Sequence, residues 1–210
     1  MSNNTSKHTL LVATRNEGKA REFEYLFNQK GFQVKTLLDY PELPDVEETG
    51  ESFDENAVLK AETIAQHFKM FVLADDSGLM VDALHGQPGI YSARYAGEEK
   101  NDAKNNAKLL NELYDISDAD RTAKFHCSLA LAKPGRKTLV VEGQVEGRIA
   151  GVPQGENGFG YDSLFFLPER DCTMAQLSKE EKNQLSHRAK AIQELGHVLD
   201  HWLNTDEEGS

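Results

Sequence analysis

The 210-residue sequence is poor in cysteine, with Cys127 and Cys172 its only two. They lie far apart and match no metal-finger spacing, so the plain reading is a reduced, cytoplasmic protein. Long apolar runs are missing: none approaches the roughly 20 residues that cross a bilayer. The polar start Met1–His8 lacks the apolar centre of a secretory signal, which leaves the Asn3-Asn4-Thr5 sequon a chance match. There is no internal repeat, low-complexity block or linker. Basic residues are the minority, 23 against 35 acidic ones, for a net charge of −12. Such a chain is repelled by nucleic-acid backbones and anionic membranes, so neither is an expected partner. A small polyphosphate remains possible, provided the site gathers its own cations from a few Lys and Arg and a metal held by carboxylates.

The length suits one domain, or one domain with two lobes around a cleft. The expected organisation is a polar tail over 1–8, a single two-lobed domain over 9–204 and an acidic tail over 205–210. Thr9–Ala13 reads as a buried strand, followed by a helix from about Gly18 to Gln29 and a strand over Gln33–Leu38. An acidic loop over 39–50 leads to a capping box, Ser52-x-x-Glu55, and a helix burying Val58, Ala61, Ile64, Ala65 and Phe68. Phe71–Ala74 is a short strand that ends in Asp75-Asp76-Ser77-Gly78. After a loop over Gly86–Gly97, Asp102–Tyr114 is helical. Ala123–Ala132 alternates as a half-buried strand, with Phe125, Cys127, Leu129 and Leu131 inward and Lys124, His126 and Ser128 outward. It forms a hairpin with Thr138–Arg148. A glycine-rich stretch leads to a strand over Leu164–Leu167. A second capping box, Ser178-x-x-Glu181, precedes a last helix from about Ser186 that buries Ala189, Ile192, Leu195, Leu199 and Trp202. This order predicts an α/β fold with a mixed sheet flanked by helices.

Several segments carry chemistry. Thr14, Arg15, Asn16, Glu17, Gly18 and Lys19 lie between a strand and a helix N-terminus, where backbone N–H groups and two cations favour phosphate. Ala13 and Ala20 stand where a Walker motif needs Gly and Ser or Thr. Asp75 and Asp76 follow a buried strand, and strand alternation sends their side chains to opposite faces. One of them, with Glu47 or Glu48 from the acidic loop, offers the oxygen donors that Mg²⁺ takes. Read alone, each segment has a plainer alternative: a solvated turn, surface charge, or a bulge with a core Phe at Phe159-Gly160-Tyr161-Asp162. Phe159 can otherwise stack on a nucleobase. Ser186-His187-Arg188, just after Lys182, puts hydrogen-bond donors at a helix start. His197 and His201 share a helix face, but Val198 stands where the metalloprotease pattern needs Glu. Cys127 and Ser128 sit mid-strand with no nearby base, so neither reads as a nucleophile.

Six segments together resemble the inosine triphosphate pyrophosphatase family. They are 13–19 (ATRNEGK), 48–57 (ETGESFDENA), 74–79 (ADDSGL), 88–95 (PGIYSARY), 158–162 (GFGYD) and 186–188 (SHR). The resemblance runs in order from about Leu10 to Leu199. It implies an elongated mixed sheet with two lobes around a central cleft, usually in a homodimer, hydrolysing ITP, dITP and XTP with Mg²⁺. By the same resemblance Thr14–Lys19 grip the phosphates and Asp76 accepts the proton of the attacking water beside the metal. Glu47 or Glu48 is the other metal carboxylate, and Ser77 contacts substrate. Phe159, Gly160, Tyr161 and Asp162 form the base pocket, while Lys182, His187 and Arg188 bind phosphate and read the 6-oxo group. Arg15 stands where bacterial members often carry Gly. A septum-formation-inhibitor-type pyrophosphatase is the nearest rival enzyme, and the segments 158–162 and 186–188 argue against it. A silent nucleotide-binding module is the rival from another class, and Asp75, Asp76 and Lys19 argue against that.

Overall fold

Short buried runs alternate with amphipathic ones along the first half of the chain, and the computed structural model, which describes residues 8–204, turns that alternation into a layered α/β architecture. The elements are β1 (His8–Val12), α1 (Glu17–Asn28), β2 (Phe32–Thr36), α2 (Phe53–Phe68), β3 (Val72–Val81), α3 (Asp102–Glu112) and β4 (Thr122–Ala132). They continue with β5 (Leu139–Ile149), β6 (Phe165–Leu167), β7 (Cys172–Thr173), α4 (Lys179–Leu185) and α5 (His187–Asn204). The strands form one mixed seven-stranded sheet in the order β2-β1-β3-β4-β5-β6-β7. β1 runs parallel to β2 and β3, whereas β6 is antiparallel to β5 and β7. Crossover helices permit the parallel pairs, and a short turn joins the antiparallel strands β6 and β7.

The chain packs as two compact units. The first comprises residues through Asp75, Leu129–Val140 and the chain from Val198 onward; the second comprises Asp76–Ser128 and Val141–His197. Each has its own apolar core. In the first, Leu11, Ala13, Val72 and Ala74 pack with Ala57, Ala61, Ile64 and Ala65 of α2. The run of Ala on α2 lets that helix lie close to the strands. In the second, Leu79, Leu109, Leu113, Phe125, Phe165 and Met174 form the centre. There α5 crosses β5 at Gly143, where a Cβ would collide with the His187 carbonyl and the Ala191 backbone.

The structure departs from several sequence expectations. The strand expected over Phe71–Ala74 is β3, which runs on to Val81, so Asp75 to Gly78 lie inside a strand. Asp, Ser and Gly are turn formers in isolation, but here they continue a strand that lies between β1 and β4 in the sheet. β4 is half-buried only as far as His126; from Cys127 to Ala132 every residue is buried. Its later part is covered on both faces, and apolar alternation cannot report that. The Ser52 hydroxyl caps α2, while the Glu55 carboxylate accepts from the Glu51 N–H. The Ser178–Glu181 box forms as read. On the last helix Ile192 and Leu195 are buried as expected, joined by Ala191, while Ala189, Leu199 and Trp202 are half-buried. His197 and His201 are exposed. The loop over Gly86–Gly97 contains a 3₁₀ segment, Gly89–Arg94, and β7 was too short to carry a pattern. The expected tails over 1–8 and 205–210 lie outside the described residues, apart from His8.

Candidate active site

In the first unit, the turn from β1 into α1 is built by short side chains. Thr14 Oγ1 accepts from the Asn16 N–H at 3.2 Å. The Asn16 side chain caps α1 by accepting from the Lys19 N–H at 3.0 Å. The N–H groups of Glu17 and Gly18 therefore head the helix, at the positive end of its dipole. Thr14 and Gly18 are buried. The Glu17 side chain is exposed and pairs with Arg21 at 3.3 Å.

The two cations of this segment have different tasks. Lys19 Nζ lies 2.9 Å from Asp75 Oδ2, whose side chain is fully buried. A buried carboxylate needs such a counter-charge, and Lys19 supplies it. Arg15 turns instead to the chain beyond β2. Its guanidinium donates to the carbonyls of Leu37, Tyr40 and Leu43 and pairs with Asp45 at 2.7 Å. Arg15 thus pins the start of the acidic loop, a role different from the phosphate contact expected of it. Farther along that loop Glu48 meets Lys60 of α2 at 2.6 Å. Glu47 is exposed and has no partner among the described residues.

In the second unit, Asp76 is buried and Oδ1 accepts from the Ser77 N–H at 3.0 Å. Ser77 Oγ accepts from Arg188 Nη2 at 2.8 Å, tying β3 to the first turn of α5. The Phe159 ring is half-buried, with Lys182 Nζ 4.9 Å and the Arg188 guanidinium 5.4 Å from its centroid. Lys182 also meets Asp162 at 2.6 Å, and both are buried. The same Asp162 oxygen accepts from the Phe159 N–H at 2.9 Å. Gly158 has φ +80°, and a Cβ there would strike the Asp162 carboxylate, so only glycine lets the carboxylate close on this turn.

The remaining expected residues divide into anchors and donors. Tyr161 is a core residue whose hydroxyl donates to the Ser92 carbonyl at 2.8 Å. Burial, then the negative charge of its neighbours, keeps that phenol protonated far above neutral pH. Gly160 makes both backbone hydrogen bonds to α3: its N–H to Asp102 and its carbonyl to Asn106. His187 is buried, its ring stacked on Phe125 at 4.9 Å. Ser186 accepts from the Ala189 N–H at 3.2 Å and so caps α5. Sequence reading passed over Lys60, Asp102 and Asn106, all of them polar residues on helices. The spacing of Asp102 and Asn106, four apart on one helix face, was the only signal available.

Asp75 and Asp76 are consecutive residues of β3, and the boundary between the units falls between them. Alternation gives them separate environments: Asp75 pairs with Lys19, and Asp76 remains with the Ser77 amide. Carboxylate oxygens are hard donors of the kind Mg²⁺ accepts.

The profile of the Ham1 family matches residues 10–198. A dITP/XTP pyrophosphatase of Geobacillus kaustophilus is 61% identical over 186 residues, 89% of this chain and 91% of the relative. One from Halalkalibacterium halodurans is 57% identical over 194 residues, covering 92% and 98% of the two chains. The solved structure of the Staphylococcus aureus Ham1 protein superposes with a TM-score of 0.81 at 48% identity, covering 92% of this chain and 98% of that one. By sequence and by fold, this chain belongs to the Ham1 family.

Proposed function

We propose that the chain hydrolyses non-canonical purine nucleoside triphosphates, ITP, dITP and XTP, to the monophosphate and pyrophosphate, and so cleanses the nucleotide pool. One observation carries the base preference: Lys182 and Arg188 both stand over the Phe159 ring. A purine brought against that ring and its two cations meets groups that donate hydrogen bonds and cannot accept them. The 6-oxo group of hypoxanthine or xanthine satisfies such donors. The 6-amino group of adenine leaves them unpaired, a costly mismatch in a desolvated site. The names of the relatives, dITP/XTP pyrophosphatase, support the same reading.

The phosphate grip falls to Thr14, Asn16, the amides of Glu17 and Gly18, and Lys19. Asp76 is the general base: it takes a proton from the water that attacks the α-phosphorus, and the bond to the bridging oxygen breaks to release pyrophosphate. Bound Mg²⁺ would neutralise charge on the phosphates. Glu47 and Asp76 are the carboxylates to hold it. Glu48 is already compensated by Lys60, and a carboxylate paired with an ammonium has less to offer a cation. Ser77 and Arg188 position the substrate beside Asp76. The cytoplasm is the compartment where such a pool is met, and the resemblance implies a homodimer.

The test is pyrophosphate release from ITP, ATP and GTP, with and without Mg²⁺, in wild type and Asp76→Asn. Mg²⁺-dependent release from ITP, lost by roughly 10²–10⁴-fold in the isosteric variant, is the expected result. Equal rates on ATP would overturn the base reading, and release of orthophosphate would overturn the assignment of the bond cleaved.

A further inference from the structure

Helix α3 lies outside the six segments that carry the resemblance, yet it holds the turn bearing Phe159. Asp102 Oδ2 accepts from the Gly160 N–H at 2.8 Å, and Asn106 Nδ2 donates to the Gly160 carbonyl at 3.0 Å. The two side chains are four residues apart and share one helix face. Gly160 has φ +62°, the left-handed region, at the apex of a turn with no strand ladder to take its polar groups. Both of its backbone bonds are made to α3.

The consequence falls on the preceding residue. The peptide before the Phe159 Cα is held by the Asp162 carboxylate at 2.9 Å; in the peptide after it, the N–H donates to Asp102 and the carbonyl accepts from the Asp162 N–H at 3.2 Å. Pinning both flanking peptides fixes φ and ψ of Phe159, and with them the direction of its side chain. That ring is the surface over which Lys182 and Arg188 stand. The helix does not take its own position from this turn. Asn105, buried, donates to the carbonyls of Ser92 and Ala93 at 3.4 and 3.0 Å and accepts from the Ala96 N–H at 2.7 Å. Leu109 is fully buried in the core of the second unit. The constraint therefore runs from the core, through α3, to the Gly160 peptide and then to Phe159.

The geometry points to Asp102 and Asn106 as positioning residues for base selectivity, keeping Phe159 in register with Lys182 and Arg188 without touching substrate. This rests on the pyrophosphatase reading, so the wild-type protein is assayed first. An ITP preference in the wild type establishes that reading, and its absence overturns the reading before any variant is considered. Steady-state kinetics on ITP and ATP are then compared for Asp102→Ala, Asp102→Asn and Asn106→Leu, with inorganic triphosphate as a base-free inhibitor.

In Asp102→Ala and Asn106→Leu, KM for ITP should rise and the ITP-to-ATP ratio of kcat/KM should fall, each about tenfold, the factor for one hydrogen bond of roughly 1.4 kcal/mol. Turnover and triphosphate inhibition should stay within about twofold, since neither involves the base. Asp102→Asn should resemble wild type, because its amide oxygen still accepts from the Gly160 N–H. Should Asp102→Ala fold poorly, Asn106→Leu carries the test, as it leaves the first turn of α3 intact. Unchanged KM and selectivity would overturn the proposal. So would a parallel loss of triphosphate affinity, or an Asp102→Asn variant as impaired as the alanine.

Discussion

Lys19 and Asp75 show how a buried carboxylate is compensated from a distant part of the chain. The Asp75 side chain is fully buried and its carboxylate lies 2.9 Å from the ammonium. Replacing Lys19 with Met removes that compensation from a buried charge, a change that typically destabilises by about 3–5 kcal/mol. Adding Asp75→Asn should restore most of the loss, because the amide carries no charge to desolvate. Urea unfolding of the two variants checks this, and a double variant no more stable than the single one would refute the coupling. The sequence placed Lys19 in a phosphate loop and Asp75 beside Asp76 but gave no sign that Lys19 and Asp75 meet. Arg15 makes the same point, since its bonds to three backbone carbonyls depend on where the loop after β2 passes.

Among the elements, helix starts were the most legible because their signals are local. The Ser178–Glu181 box is an example with a pH signature. Bonds from the Ser178 N–H and then its hydroxyl, with a smaller contribution from Arg170, hold the Glu181 carboxyl below its ordinary value of 4.5. A lowered folded-state pKa means that the unfolded chain binds the proton more readily. The stabilisation is therefore present above pH 4.5 and is lost as the pH falls through the lowered value. Glu181→Gln keeps the hydrogen-bonding shape but not the charge. Its thermal midpoint should lie slightly below that of wild type at neutral pH and converge with it in acid. A constant difference across that range would rule out the charge as its source. Strand ends were less legible. β3 continues through Asp75-Asp76-Ser77-Gly78 within the sheet, where composition alone favoured a turn.

For the whole molecule, length, charge and the order of six motifs were enough to place the chain in its family. Those motifs are legible in the sequence because each is a set of particular residue types at fixed spacing. The homodimer proposed with the function is tested by sedimentation velocity, with a species of twice the chain mass expected at micromolar concentration and a monomer across that range counting against it. Sequence by itself determined the periodicities, the caps, the donor-only chemistry of Lys182 and Arg188, and the composition of the acidic and phosphate-seeking segments. All of these are properties of residues near one another along the chain. Only the tertiary structure decided that Lys19 compensates Asp75, that Arg15 pins a loop, that Lys60 takes Glu48 and leaves Glu47 exposed, and that α3 holds Gly160. Each of those contacts joins residues from separate elements. Their partners are set by packing and by the need to satisfy buried polar groups, which no local pattern encodes.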